Sequence, residues 1–115
     1  MPLNSYLTLG RSGLRVSPFA LGTMTFGTDR GADFGSSVAD SERILSRYLE
    51  QGGNFIDTAN VYTSGHSEKI IGDFFQQGKG KRDRAVIATK FFCNLFVGNP
   101  NGGEGGGKAI VAQCD

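Results

Sequence analysis

The chain has 115 residues, a formal net charge of +1, a hydrophobic share of 38% and a charged share of 20%. That size suits one small domain, and the composition excludes a chain that is disordered throughout. The balanced charge argues against a nucleic acid or an anionic membrane as partner, and no run of about 18 apolar residues is present to cross a bilayer.

The start, "MPLNSYLTLG", lacks a basic stretch followed by an apolar core, so it does not read as a secretory signal. With only two cysteines, Cys93 and Cys114, in no metal-binding spacing, the expectation is reduced thiols in a cytoplasmic protein. "YLTLGRSGLRVS" alternates on both sides of Arg11-Ser12-Gly13, which predicts a β-hairpin. Phe19–Met24 is an apolar run of strand length, and Pro18 can begin it because a missing N–H costs least there. A loop rich in Gly and Ser leads to a helix with Ser37 or Asp40 as its cap. Ile44, Leu45, Tyr48 and Leu49 share one helical face, and Gly52 and Gly53 end the helix.

"NFIDTA" reads as the next strand. "SEKIIGDFFQQ" reads as a second amphipathic helix, with Ser67 as cap, Ile70, Ile71, Phe74 and Phe75 inward, and Gly78 and Gly80 at its end. "AVIATKF" is a nearly continuous apolar run, the pattern of a strand buried on both faces. A second glycine-rich loop, Gly98–Gly107, precedes "KAIVAQCD", which opens a further helix. Strands alternating with helices imply parallel strands joined by right-handed crossovers. An open doubly wound sheet and a (β/α)8 barrel both satisfy that order. Three strands cannot close a barrel, which takes about 250 residues. Residues 1–115 are therefore expected to be a single incomplete domain, the N-terminal portion of something larger.

Asp57 ends the second parallel strand and Lys90 the third. Neighbouring strands lie about 4.8 Å apart, and side chains alternate between faces. Phe55 and Asp57 fall on one face, as do Val86, Ala88 and Lys90. Turned inward, Asp57 and Lys90 meet at the C-terminal end, where α/β folds keep their chemistry. Tyr62, in the loop beyond Asp57, can fold over the same end. A free tyrosine, with its pKa near 10, exchanges its proton poorly near neutral pH, and a nearby cation favours the phenolate. Lys90 can be that cation, Asp57 can hold it, and Tyr62 can act as general acid toward a developing alkoxide. Such a trio suits reduction of a carbonyl. Spacing alone also allows a structural Asp–Lys ion pair and a loop tyrosine that merely packs.

"GGNFIDTANVY", with "ALGTMTFG" before it and "VIATK" after it, resembles the aldo-keto reductase superfamily. The likeness runs through essentially the whole chain in the same order. Within the family, "SEKIIG" and the "GNPNGG" loop resemble bacterial-type, NADP-using members. The resemblance implies a TIM barrel, here its capping hairpin, three β-strands, two helices and the start of a third. It implies NADPH as cofactor, bound without a Rossmann motif, and a small-molecule aldehyde or ketone as substrate. Asp57, Tyr62 and Lys90 match three of the family's four catalytic positions. Gly22, Thr23 and Met24, with Asp57, match the segment near the nicotinamide. The fourth position, a histidine on the next strand, lies past Asp115, as do the later cofactor loops. The alternative on the same scaffold is a nicotinamide-binding regulatory subunit, such as a channel-associated β subunit.

Other residues attract plainer readings. His66, the only histidine, precedes the second helix and reads as a solvated loop residue. "GGEGGGKA", Gly102–Ala109, nearly spells a phosphate-binding loop, but Ala109 stands where Ser or Thr should ligate magnesium. A loop bordering the substrate is the better expectation. "KGKRDR", Lys79–Arg84, reads as a solvated basic turn. No metal site is expected.

Overall fold

Alternating Leu7, Leu9, Leu14 and Val16 about a tight turn produce the expected antiparallel hairpin, β1 (Leu7–Thr8) with β2 (Arg15–Val16). A computed structural model describes residues 1–29 and 33–114. Gly31 of the first predicted loop and Asp115 of the last predicted helix lie outside the described residues. Asn54 fastens the hairpin beneath the sheet. Its Oδ1 accepts from the Ser17 N–H at 2.7 Å, and its Nδ2 donates to the Arg15 carbonyl at 3.0 Å.

Three parallel strands follow in the spatial order β3-β4-β5: Leu21–Gly22, Phe55–Asp57 and Val86–Ala88. The first is shorter than the predicted Phe19–Met24. Pro18 offers no N–H to a ladder, and the Phe19 carbonyl accepts from the Tyr48 hydroxyl at 2.7 Å, leaving Phe19 outside the strand and exposed. The register pairs Gly22 with Asp57 and Asp57 with Ala88, so the C-terminal ends of all three strands lie together.

Helix α1 (Val38–Glu50) begins at Ser37, whose Oγ accepts from the Asp40 N–H at 3.1 Å, settling the choice between the two predicted caps. Helix α2 (His66–Gln76) begins differently. Gly65, at φ 95°, is its N-cap and gives no side-chain capping bond. Ser67, the predicted cap, is instead fully buried in the first turn, with its hydroxyl committed elsewhere. His66 opens α2 and pairs with Asp29 at 2.7 Å rather than standing free in solvent.

Both helices cover one face of the sheet. Leu45, Ile56, Ile70, Ile71, Phe74 and Phe75 form the core with Phe26 and Ala85. Ile56 sits at its centre with no exposed surface, and Phe74 meets Phe75 edge to face at 5.3 Å between ring centroids. Ile44, grouped with Leu45, Tyr48 and Leu49 on one helical face, is exposed, since it lies on the shoulder of α1 beside Leu3. β5 departs from its predicted burial too. All three of its residues are half-buried, because it lies at one edge of the sheet and, among the described residues, pairs with β4 alone. Helix α3 (Gly107–Cys114) buries only Ala109. Both cysteines are free and exposed. No helix among the described residues is long and apolar enough to cross a membrane.

Candidate active site

Parallel register brings the acid and the lysine together. Ala88 pairs with Asp57, and two residues further on the chain still follows β4, with the Asn60 N–H donating to the Lys90 carbonyl at 3.0 Å. The lysine side chain then reaches back across the strand ends. Its Nζ lies 2.9 and 3.0 Å from the two Asp57 carboxylate oxygens, 2.9 Å from the Thr58 carbonyl and 3.2 Å from the Tyr62 hydroxyl. The same ammonium stands 5.0 Å from the centroid of the Tyr62 ring.

Hydrogen-bond capacity fixes the roles. An ammonium has three protons and no lone pair. One shared by the carboxylate, one on the Thr58 carbonyl and one on Tyr62 use all three. The Tyr62 oxygen must therefore accept from Lys90, which leaves its own proton free to point elsewhere. The Asp57 hydrogen bond is the main cause holding the Lys90 pKa above its ordinary value, with Tyr62 adding to it and partial desolvation opposing it. The Asp57 and Lys90 side chains keep 38% and 52% of their surface in solvent. Such an ion pair adds little stability; its consequence is placement.

The nearby segment of β3 is divided in its exposure. Gly22 and Met24 are open, and a Cβ at Gly22 would meet no atom within 4 Å, so a shelf lies above it beside Asp57. Thr23 is fully buried, with its N–H and hydroxyl both donating to the Asp57 carbonyl at 3.0 Å. Thr23 thus steadies Asp57 from behind while its neighbours face outward.

Behind this surface, sequence reasoning passed over Thr58 and Thr63 and read Ser67 only as a helix cap. Thr58, Thr63 and Ser67 join Thr23 in a buried cluster of hydroxyls. Thr58 reaches Ser67 at 3.3 Å, Ser67 donates to the Thr23 carbonyl at 2.7 Å, and Thr23 continues to Asp57. Among the described residues no buried side-chain polar atom lacks a partner. Asn60 was missed as well. Its Nδ2, with two protons, lies 2.9, 3.2 and 2.9 Å from the Phe91 carbonyl, the Cys93 carbonyl and Gln113 Oε1, two of which share a proton, so it ties the chain after Lys90 to α3. The signal for these residues was four hydroxyls and an amide in and around otherwise apolar strand ends. Their pairing is invisible without the fold. The remaining loop, Gly102–Ala109, holds no helix until Gly107, and no cluster of potential metal ligands exists among the described residues.

The oxidoreductase YrpG of Bacillus subtilis is 41% identical over 102 residues, which are 85% of this chain and 29% of that protein. An aryl-alcohol dehydrogenase [NADP(+)] of Phanerodontia chrysosporium is 44% identical over 82 residues, covering 69% of this chain and 21% of its own. Among solved structures, the holo form of an aldo-keto reductase from Bacillus halodurans superposes with a TM-score of 0.65 at 32% identity, covering 83% of this chain and 28% of that one. The chain thus spans less than a third of the length of these relatives. Its hairpin, three parallel strands and covering helices correspond to the N-terminal part of their TIM barrel. Residues 18–114 match the model of the aldo/keto reductase family, and with the relatives agreeing, the chain belongs to that family.

Proposed function

We propose that a protein containing this chain reduces an aldehyde or ketone to an alcohol with NADPH, and that Tyr62 donates the proton. The observation that carries the reading is the donor count at Lys90. Tyr62 accepts from an ammonium, so its hydroxyl proton is uncommitted at the C-terminal end of the sheet. As that proton leaves for a substrate oxygen, charge grows on the phenol oxygen 3.2 Å from a fixed cation, which opposes the cost. Asp57 and the Thr58 carbonyl keep the ammonium in place.

The shelf above Gly22, bordered by exposed Met24 and the half-exposed Asp57 carboxylate, suits the polar edge of a flat ring. Gly22, Met24 and Asp57 would hold the nicotinamide end, with Thr23 bracing Asp57 from beneath. NADPH, when bound, supplies the hydride. NADP is the cofactor named for the fungal aryl-alcohol dehydrogenase, and a second group of relatives is named norsolorinic acid reductase, at 46% identity over 81 residues in Aspergillus parasiticus. The name aryl-alcohol dehydrogenase fits an aromatic substrate, and exposed Phe92 shortly after Lys90 offers an apolar surface for one. The activity belongs to a protein with the further strands. The 115 residues alone leave β5 as an open edge.

The test uses the longest open reading frame carrying these residues. NADPH absorbance should fall only when an aromatic aldehyde or ketone is added. Tyr62→Phe should lower kcat by about a hundredfold or more. Unchanged turnover in that variant would remove Tyr62 from its role.

A further inference from the structure

We propose that Thr63 is a positioning residue for the Tyr62 phenol, acting through a buried hydroxyl that locks a left-handed turn. The proposal rests on Tyr62 as the proton donor. Tyr62 itself has few means of holding its aim. Its ring is half-buried, and its hydroxyl has one hydrogen bond, at 3.2 Å, to a lysine that is itself half-exposed. The direction of the side chain is therefore set largely by its backbone. The Tyr62 N–H is tied to the Ala59 carbonyl at 3.2 Å, and its carbonyl accepts from the His66 N–H at the start of α2.

Directly after it the backbone does something unusual. Thr63 has φ 46° and ψ 40°, and Ser64 has φ 56°, so two non-glycine residues in a row occupy the left-handed region. For a β-branched residue this conformation is strained and persists only where the surroundings impose it. Gly65, at φ 95°, completes the reversal. What imposes it is visible at the Thr63 hydroxyl. Thr63 is 2% exposed; its Oγ1 accepts from the Ser67 N–H at 3.0 Å and faces the Phe26 carbonyl at 2.7 Å and the Tyr62 carbonyl at 2.8 Å. One side chain thus joins the first turn of α2, the loop after β3 and the carbonyl of Tyr62. Gly27 leaves room for this: a Cβ there would lie 3.1 Å from Thr63 Oγ1. Without the hydroxyl, nothing else on the Thr63 side chain bridges these three segments. The segment after Tyr62 would lose its ties to Phe26 and to α2, and the phenol would swing from its place beside Lys90.

Glycine separates strain from hydroxyl bonding, because it adopts a positive φ without penalty. In the protein from the longest open reading frame, Thr63→Gly should fold with a lower thermal midpoint, because the buried Ser67 N–H loses its acceptor, and should lose at least about tenfold in kcat, since small displacements of a proton donor are costly. KM for NADPH should stay within about twofold, because the shelf at Gly22 is untouched. Thr63→Ser, which keeps the hydroxyl, should restore most of the rate. In a Tyr62→Phe background, Thr63→Gly should have no further effect on kcat. Full activity in Thr63→Gly would overturn the proposal. So would a second, equal loss on top of Tyr62→Phe. Failure of Thr63→Gly to fold would overturn it too, since the hydroxyl would then hold the fold together rather than aim one side chain. If Tyr62→Phe alone left turnover unchanged, the proton-donor reading would fall first, and that result is separate from the behaviour of Thr63.

Discussion

On one face of β4, Ile56 is enclosed by α1 and α2 and has no surface in solvent; on the other, Phe55 and Asp57 are only half-buried. The first face is apolar, backed by Leu45, Ile70 and Phe74, and its few polar atoms are closed onto one another. The second carries an ion pair and a phenol whose proton has no acceptor in the sheet. One three-residue strand therefore serves two purposes by alternation alone. Burial beneath the helices supplies stability, and the opposite face, free of that duty, can hold charges that would be costly inside. Substitutions on the two faces should accordingly separate, with chemistry failing on one and folding on the other.

The largest effect is expected at Lys90. Lys90→Met keeps an unbranched side chain of similar length and removes the cation. Turnover of the full open reading frame should fall by about 10² to 10⁴, the range for loss of positioned acid–base assistance. The urea unfolding midpoint should barely move, since the ion pair is half-exposed. A variant with normal turnover, or one that unfolds readily, would erase the distinction between the faces.

Phe74 should behave in the opposite way. Its side chain is fully buried and packs edge to face on Phe75. Phe74→Ala removes a ring from a site that cannot fully collapse, and should destabilise by about 3–5 kcal/mol in urea unfolding. Whatever fraction stays folded should keep its kcat, because Phe74 packs in the core with Ile56, on the face of β4 away from Asp57. A drop in kcat per folded molecule would show that the helix layer and the charged face are not independent.

This division also explains what could be read in advance. Apolar spacing located α1 and α2, and strand parity placed Asp57 and Lys90 on one face, because both depend only on local periodicity. Ile44 and Ser67 misled because local pattern does not fix rotation or partners. Ile44 sits about 100° around the helix from Leu45. Ser67 precedes an apolar run as a cap would, but its hydroxyl finds the Thr23 carbonyl, 44 positions earlier in the chain. β5 reads as buried because its residues are apolar, while its exposure depends on what pairs beyond it. The Thr63 turn was the least legible. Threonine is a poor choice for a left-handed residue, and only contacts with Phe26 and Ser67 make it tenable.

The smallest effect follows from the raised pKa of Lys90, which Asp57 causes first. Folding favours the ammonium, so the folded chain holds this proton to higher pH than the unfolded chain. The resulting stability is fully present below the ordinary lysine value of 10.5 and is lost as pH rises through the folded value above it. Neutral and mildly acidic solutions should show none of this dependence. Because Lys90 is half-exposed, water and salt screen the interaction and keep the change slight. The useful quantity is a difference between the two proteins. Urea midpoints at about pH 9 and about pH 11 should fall slightly less in Lys90→Met than in the unmodified protein. Parallel curves would mean that the ammonium gains nothing from Asp57 on folding, and the carboxylate would then be orienting Lys90 without holding its charge.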